Sequence, residues 1–217
     1  MKEVFKHVYH VGDSGCSVFL VDTHSEDGLV LIDCGMSLGM IKRIKNIGLS
    51  PMDIKHCILT HFHIDHIAIC SELKRFNQKV KFYAHDLDAD AIEEEGHGRE
   101  TVASWYGVKY KPIKLTKRFK GDETLKLGQY NFECIHTPGH TPGSISILII
   151  INNTKILFGQ DVHGPIIPGI SNFADYQNSL QKLLNLNADI LCEGHFGIYQ
   201  PADEVKRYLE SYIEQTY

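Results

Sequence analysis

The segment THFHIDH, at residues 60–66, stands where a predicted strand gives way to a predicted helix. The apolar run at 57–60 has the composition of a buried strand, and residues 67–76 have helical character. Three imidazoles and one carboxylate, all able to bind a metal ion, therefore lie within six positions. These groups suit zinc, iron or manganese, and the lack of a thiolate in the segment disfavours a structural zinc site of the cysteine type.

The spacing of these four side chains predicts that they serve two ions. Alternate side chains of an extended segment point to the same side, so His61 and His63 can bind one ion. Once the chain turns into a helix, Asp65 and His66 point elsewhere and can bind a second ion. The alternative is a set of surface histidines at a strand end, which would carry no chemistry.

Three further residues of the ligand type follow predicted strands later in the chain. His140 lies in the loop HTPGHTPG at 136–143, Asp161 ends the stretch ILFGQD, and His195 ends the stretch ILCEGH. Open sheets tend to place their sites at strand ends. These residues are therefore candidates for the same site as residues 61–66.

Short apolar strands and amphipathic helices in both halves of the chain predict two sheets flanked by helices. Gly128-Gln129 and Asn152-Asn153 are typical of hairpin turns. The predicted strands are 8–11, 17–22, 29–33, 57–60, 80–84, 125–127, 130–135, 144–151, 156–158 and 190–191. The predicted helices begin after Ser37, at residue 67, at residue 174 and near Pro201.

The length of 217 residues predicts one domain over residues 1–217, with a small helical insertion around residues 86–110. Trp105 and Tyr106, near the end of this insertion, are predicted to anchor it into the body of the protein. We expect the insertion to form part of the pocket wall or a subunit contact.

Composition excludes several classes of protein. Hydrophobic residues at 43% and charged residues at 23% rule out a mainly disordered, collagenous or coiled-coil chain. The longest strongly apolar stretch, 145–151, is far shorter than the ~20 residues of a membrane span, so no membrane partner is expected. The net charge of −5 disfavours nucleic acid as a partner. The first residues contain no secretory apolar core, which predicts a cytoplasmic protein.

The six cysteines are scattered along the chain and include no CxxC pair. A disulfide scaffold would concentrate more cysteines in fewer residues, so we expect reduced thiols in or near a core. A nucleophilic cysteine is the alternative. Cys34 and Cys192 are its candidates because each adjoins a turn-like segment.

Four sequence elements, in this order, resemble the metallo-β-lactamase superfamily of binuclear metallohydrolases. They are THFHIDH at 60–66, HTPGHTPGS at 136–144, FGQD at 158–161 and EGH at 193–195. The resemblance runs from about residue 8 to residue 195. It implies an α/β fold, the four-layer αββα sandwich. It also implies an enzyme with two divalent metal ions in each chain, with zinc favoured and iron or manganese as alternatives.

The same resemblance implies a role for each ligand. The first ion would be held by His61, His63 and His140, and the second by Asp65, His66 and His195. Asp161 would bridge the two ions opposite a hydroxide, and Asp65 is a candidate acceptor for the proton of the attacking water. Asp33, in LVLIDCG, matches an aspartate that lies near the site and orients imidazoles. The alternative for Asp33 is a cap on the following turn.

The implied reaction is hydrolysis of an ester, thioester or lactone bond of a small molecule by a metal-bridging hydroxide. A standard glyoxalase II-like thioesterase is less favoured, because the stretch at 162–176 contains no arginine and no added C-terminal helical domain follows. A persulfide dioxygenase with one iron, or a phosphodiesterase of the same superfamily, is the alternative function. The sequence does not determine the substrate or whether the protein forms a homo-oligomer. His163 or Tyr176 could contact the substrate. The favoured alternatives are a position in a turn for His163 and packing in a helix core for Tyr176.

Overall fold

A computed structural model describes residues 2–214 and shows two β-sheets packed face to face. The first sheet contains, side by side in chain order, β1 (Lys2–Phe5), β2 (Val8–His10), β3 (Phe19–Asp22), β4 (Leu29–Ile32), β5 (Ile54–Ile58), β6 (Lys81–His85) and β7 (Lys117–Phe119). The strands from β4 to β7 run parallel, and those from β1 to β4 alternate in direction.

The second sheet is built from the remaining strands in a different spatial order. These strands are β8 (Glu123–Leu127), β9 (Tyr130–His136), β10 (Ile145–Ile151), β11 (Thr154–Gly159), β12 (Ile190–Glu193) and β13 (Ile198–Tyr199). The order across the sheet is β13-β12-β11-β10-β9-β8, and only the pair β11–β12 is parallel within it. The predicted hairpins at 128–129 and 152–153 are confirmed as the β8–β9 and β10–β11 turns.

Helices cover the outer face of each sheet. They are α1 (Gly39–Asn46), α2 (Ile64–Ile67), α3 (Cys70–Phe76), α4 (Asp86–Glu93), α5 (Phe173–Leu184) and α6 (Ala202–Ile213), with short 3-10 helices at Pro51–Asp53 and Ala103–Tyr106. The first four helices pack on the first sheet, and α5 and α6 pack on the second. The predicted four-layer αββα sandwich is confirmed. No helix within residues 2–214 is long and apolar enough to cross a membrane.

The central strands are buried on both faces because helices cover one side and the other sheet covers the opposite side. In β4, Leu29 and Leu31 face the helices, whereas Val30 and Ile32 face the second sheet. This alternation follows from the two-residue period of a strand. Between the sheets, the rings of Phe19 and Phe158 are 5.5 Å apart, centroid to centroid. The inter-sheet core therefore joins the two halves of the molecule directly.

Three sequence predictions need correction. The predicted helix at 67–76 is two helices, and the first begins at Ile64, so Asp65 and His66 are already helical. Strands β1 and β13 were not predicted because each is short and lies at a sheet edge. Trp105 and Tyr106 do not anchor the insertion, since 66% and 46% of their surfaces are exposed. Smaller side chains do so instead, among them Ala89, Ile92, Val102 and Ala103.

All six cysteines are buried free thiols, as the sequence predicts for core residues. Cys34 and Cys192 are fully buried, so neither can meet a substrate as a nucleophile. The sulfur atoms of Cys34 and Cys57 are 3.5 Å apart beneath the end of β4.

Candidate metal centre

The ligand-type residues meet at one edge of the sandwich because several strands end there. Strand β5 leads into the segment 61–66, while β11 and β12, which run parallel, end just before Asp161 and His195. The loop between β9 and β10 contributes His140. Each sheet therefore supplies part of one shared cluster, at the carboxyl ends of strands where sites of open sheets tend to form.

The first group of the cluster contains His61, His63, His140 and Asp161, all buried. One ligand atom from each lies within 4.8 Å of every other. The Oδ2 atom of Asp161 is 3.2 Å from Nε2 of His140 and 3.7 Å from Nε2 of His61. The opposite ring nitrogen of His140, Nδ1, donates to the carbonyl of Pro165 at 3.0 Å, which turns Nε2 toward the cluster.

The second group contains Asp65, His66 and His195, whose ligand atoms also lie within 4.8 Å of one another. The Oδ2 atom of Asp65 is 3.6 Å from Nε2 of His66 and 3.3 Å from Nε2 of His195. Both of these nitrogens are also 3.2 Å from Oδ1 of Asp161. The structure therefore brings all seven candidate ligands together, and the two oxygens of Asp161 face different groups.

Several polar atoms of the cluster are buried without a hydrogen-bond partner among residues 2–214. They are Nε2 of His61, His63 and His140 and Oδ1 of Asp161. Leaving such atoms unpaired costs free energy, so native proteins supply a partner, water or an ion. Imidazole nitrogens and carboxylate oxygens at these separations match the donor set of a divalent transition metal. The residues present therefore fit a metal.

A hydrogen-bond chain beneath the cluster orients one histidine from each group. The Nδ1–H of His66 donates to Oδ2 of Asp33 at 2.8 Å, and the hydroxyl of Thr60 donates to the same oxygen at 2.8 Å. The Thr60 hydroxyl in turn accepts from Nδ1–H of His61 at 3.0 Å. Both oxygens of the buried Asp33 accept from Thr60 or His66, so the role of orienting imidazoles describes it better than a cap on the following turn. Cys16 also contacts His66, at 3.5 Å from Nδ1.

The electrostatics keep His61, His63 and Asp161 in states suited to binding a cation. Burial lowers the pKa of His61 and His63 well below the usual value, so both imidazoles are neutral. Burial opposes ionisation of Asp161, but the neighbouring His66, His140 and His195 outweigh it and hold the pKa of Asp161 well below its usual value.

The carboxylates of Asp161 and Asp65 outweigh burial and raise the pKa of His195 to about 9. Cys16 and the same carboxylates likewise raise the pKa of His66 well above its usual value. A metal ion that binds these two imidazoles must therefore displace a proton from each.

A cavity of about 420 Å³ opens over the cluster. Its floor is polar, and its walls are mainly apolar and aromatic. The lining residues are Ser14, His63, Asp65, Val102, Trp105, Tyr106, His140, Asp161, His163, Pro165, Ile167, His195 and Phe196. Within the part of the chain that the structure describes, no lysine or arginine lines this cavity.

Comparison with known proteins gives a match over most of the chain. The family model of the metallo-beta-lactamase superfamily matches residues 11–195. The chain belongs to this superfamily. Its ligand cluster lies within the matched range, and the protein is a hydrolase of that superfamily with His and Asp groups that fit a metal site.

Individual members of the superfamily show the same relationship. The hydroxyacylglutathione hydrolase GloC of Haemophilus influenzae is 31% identical over 211 residues, which covers 88% of this chain and 89% of that protein. The N-acyl homoserine lactonase AttM of Rhizobium radiobacter is 27% identical over 121 residues, or 55% of this chain and 44% of that protein. A B3 metallo-beta-lactamase with an active-site glutamic acid superposes with a TM-score of 0.81 at 23% identity, over 97% of this chain and 86% of that chain, which shows a common fold.

In this superfamily member, one buried carboxylate holds the loop of a candidate ligand and was not predicted. Glu193 is fully buried, and its Oε2 accepts from the backbone N–H of His195 at 2.6 Å and of Phe196 at 2.7 Å. Its Oε1 lies 2.6 Å from Nδ1 of His163, which sits in a turn and also lines the cavity. The position of Glu193, two residues before His195 in the chain, was the sequence feature that could have indicated its role.

Two aromatic residues near the site differ from their predicted role, and a third has the role that the sequence favoured. Trp105 and Tyr106 face the cavity, and Asp65 lines the same cavity beside Tyr106. Tyr176 lies on the buried face of α5, where its hydroxyl donates to the carbonyl of Val162 at 2.6 Å, as the favoured core-packing role predicts. Periodicity alone could not separate an aromatic anchor from an aromatic cavity wall.

Proposed function

We propose that this protein hydrolyses an uncharged ester, thioester or lactone bond of a small molecule with the help of two divalent metal ions. The observation that carries the proposal is the position of Asp161, whose two oxygens face two ligand groups at the floor of one cavity. Bound divalent ions would lower the pKa of a water molecule and polarise the carbonyl oxygen of the substrate. The donor set favours zinc, with iron and manganese as alternatives.

The side chains of the cluster divide the work of binding between them. The first ion would be held by His61, His63, His140 and one oxygen of Asp161, and the second by Asp65, His66, His195 and the other oxygen of Asp161. Asp65 is also the proposed proton acceptor, because its carboxylate lines the cavity in which the substrate would bind. The proton would reside on a carboxylate oxygen of Asp65.

The charge of the cavity favours an uncharged substrate. Phosphodiesters, and the free carboxylates of a glutathione conjugate, are usually recognised by arginine or lysine, and neither residue type lines this cavity within residues 2–214. Val102, Trp105, Ile167 and Phe196 instead offer apolar contact to an acyl group. The names of two relatives, a hydroxyacylglutathione hydrolase and an acyl homoserine lactonase, support a thioester or lactone bond as the target. The net charge of −5 also favours a small molecule over nucleic acid.

Metal analysis tests the number of ions and the role of Asp161. Protein purified without added metal is expected to hold close to two ions per chain, and Asp161→Ala should lower that number and abolish hydrolysis. Asp175→Ala, at an exposed position in the first turn of α5, is the matched control and should retain both ions. One tightly bound iron together with persulfide-dependent oxygen uptake would refute the hydrolase proposal in favour of the dioxygenase alternative.

A substrate panel on the metal-loaded protein tests the bond and the charge of the substrate. The panel contains acyl thioesters, aryl esters, acyl homoserine-type lactones and a nitrophenyl phosphodiester, each with the same apolar group. We expect turnover of at least one uncharged class and weak or no turnover of the phosphodiester. A phosphodiester hydrolysed faster than every uncharged compound would contradict the argument from cavity charge.

A further inference from the structure

One acidic residue of α4 is buried, although its acidic neighbours on the same helix are exposed. Asp88 has no exposed surface, whereas the side chain of Asp86 is 42% exposed and that of Asp90 is 65% exposed. Removing a carboxylate from water costs several kcal/mol unless hydrogen bonds replace the lost hydration. The partners of Asp88 therefore explain why it is buried.

All three hydrogen bonds of the Asp88 carboxylate come from the two loops that carry the first ligand group. Its Oδ2 accepts from the backbone N–H of Phe62 at 3.1 Å and from the hydroxyl of Thr141 at 2.7 Å. Its Oδ1 accepts from the backbone N–H of Gly143 at 2.6 Å. Phe62 stands between His61 and His63 in the chain, and Thr141 follows His140. One carboxylate thus connects a loop of the first sheet to a loop of the second.

The fit around this carboxylate is close. A Cβ atom at Gly143 would lie 2.5 Å from Oδ1 of Asp88 and 2.6 Å from its backbone nitrogen, so only glycine allows the approach. One further hydrogen bond joins the flanks of the same loops, from the Ile145 N–H to the Thr60 carbonyl at 2.9 Å. The donors to Asp88 stand closer in the sequence to His63 and His140 than Ile145 does to His140. Asp88 itself does not line the cavity.

We propose that Asp88 is a positioning residue that sets the separation of His140 from His61 and His63, and thereby the affinity for the first ion. This inference rests on the proposed metal centre. Ligands must be held within about 0.5 Å of the productive geometry for a metal site to bind well. The two loops belong to different sheets, so a bond between them controls this separation more directly than a bond within either loop. The insertion is therefore part of the support of the metal centre through α4.

Asp88→Asn is the direct test because it keeps the shape of the side chain and removes one acceptor. Whichever way the amide turns, the backbone N–H of either Gly143 or Phe62 faces an NH₂ group, which donates and cannot accept. Asp90→Asn, on the same helix at an exposed position paired with Arg118, is the matched control. The metal-free proteins are titrated with Co²⁺ in competition with a chelator, and the visible absorption of the bound Co²⁺ is recorded.

We expect Asp88→Asn to weaken binding of the first Co²⁺ by about 10- to 100-fold, the range for partners that orient metal ligands. Its Co²⁺ absorption band should shift because the ligand geometry changes. Activity lost at limiting metal should return with excess metal at an unchanged KM, since Asp88 does not reach the cavity. Asp90→Asn should match the wild type in all three measurements. Wild-type affinity and spectrum in Asp88→Asn would overturn the proposal.

Thr141→Val and Thr141→Ser keep the proposal testable if Asp88→Asn does not fold. Valine removes one of the three hydrogen bonds and leaves the carboxylate in place, whereas serine restores the hydroxyl. We expect an intermediate loss of Co²⁺ affinity for valine and recovery for serine, and equal affinities for both variants would overturn the proposal. A wild-type protein that takes up no ion would instead contradict the proposed function, so the two failures are distinguishable.

Discussion

Replacing Asp33 by asparagine should reverse the tautomer of His66. The oxygen that Asp33 offers to the backbone N–H of Thr60, 2.7 Å away, is fixed by the strand end, so the amide oxygen must remain there. The NH₂ group then occupies the place of Oδ2, the oxygen that in the wild-type protein accepts from Nδ1–H of His66 and from the Thr60 hydroxyl. An NH₂ group cannot accept, so the His66 proton must move from Nδ1 to Nε2, the nitrogen that faces Asp65 and Asp161.

The structure also sets the size of the effect. Asparagine tolerates the left-handed backbone of Asp33, whose φ is 61°, so backbone strain does not contribute. The loss of a hydrogen bond to a buried charged group lowers the free energy of unfolding by about 1.5–3 kcal/mol. Because a protonated Nε2 cannot bind an ion, affinity for the second ion should fall by about 10- to 100-fold. Asp33→Ala leaves three donors without an acceptor and should destabilise the protein more.

Two measurements check this prediction. Urea unfolding of the metal-free protein gives the change in stability. The ¹⁵N chemical shifts of the His66 ring report which nitrogen carries the proton, and they are recorded above the raised pKa of His66, where the ring holds a single proton. Asp175→Asn, at an exposed position, should leave both unchanged. The reasoning is refuted if Asp33→Asn retains a proton on Nδ1 of His66 and binds the second ion with wild-type affinity.

Three other perturbations test the cavity, the core and the response to pH. Trp105→Ala should lower kcat/KM for a phenylacetyl ester by about 10-fold, which corresponds to roughly 1.4 kcal/mol of lost apolar contact, and should change kcat/KM for the acetyl ester little. Equal losses of kcat/KM for both esters would show that the ring does not contact the acyl group. Phe158→Ala, in the inter-sheet core, should lower the free energy of unfolding by about 3–5 kcal/mol in a urea titration followed by circular dichroism, and a change below about 1 kcal/mol would contradict the core assignment. Lowering the pH from 7 to 5 should destabilise the fold. Burial lowers the pKa of His56 and of His85 to about 4, whereas both take up protons near pH 6.5 in the unfolded chain. The unfolded state therefore binds more protons between pH 6.5 and pH 4, and the free energy of unfolding decreases as the pH falls through this range. The double variant His56→Gln/His85→Gln should show a smaller shift of the urea midpoint over this pH range, and an unchanged shift would assign the effect to other groups.

The sequence identified the seven candidate ligands because histidines and aspartates at strand ends are distinctive in type and in spacing. It could not identify Asp88, since this residue belongs to an acidic run in which Asp86 and Asp90 have the same chemistry. Its burial depends on donors 26, 53 and 55 residues away along the chain, which only the folded structure brings near. Trp105 was misassigned for a related reason, because an aromatic side chain beside a helix packs equally well into a core or against a substrate cavity.

The candidate ligands come from both sheets, and this division has a consequence for metal preference. Residues 61–66 extend from the first sheet, whereas His140, Asp161 and His195 extend from the second. The apolar layer between the sheets, where Phe19 meets Phe158, therefore separates the two sets of candidate ligands. We expect a substitution in that layer, remote from every candidate ligand, to change the size of ion that the proposed centre accepts.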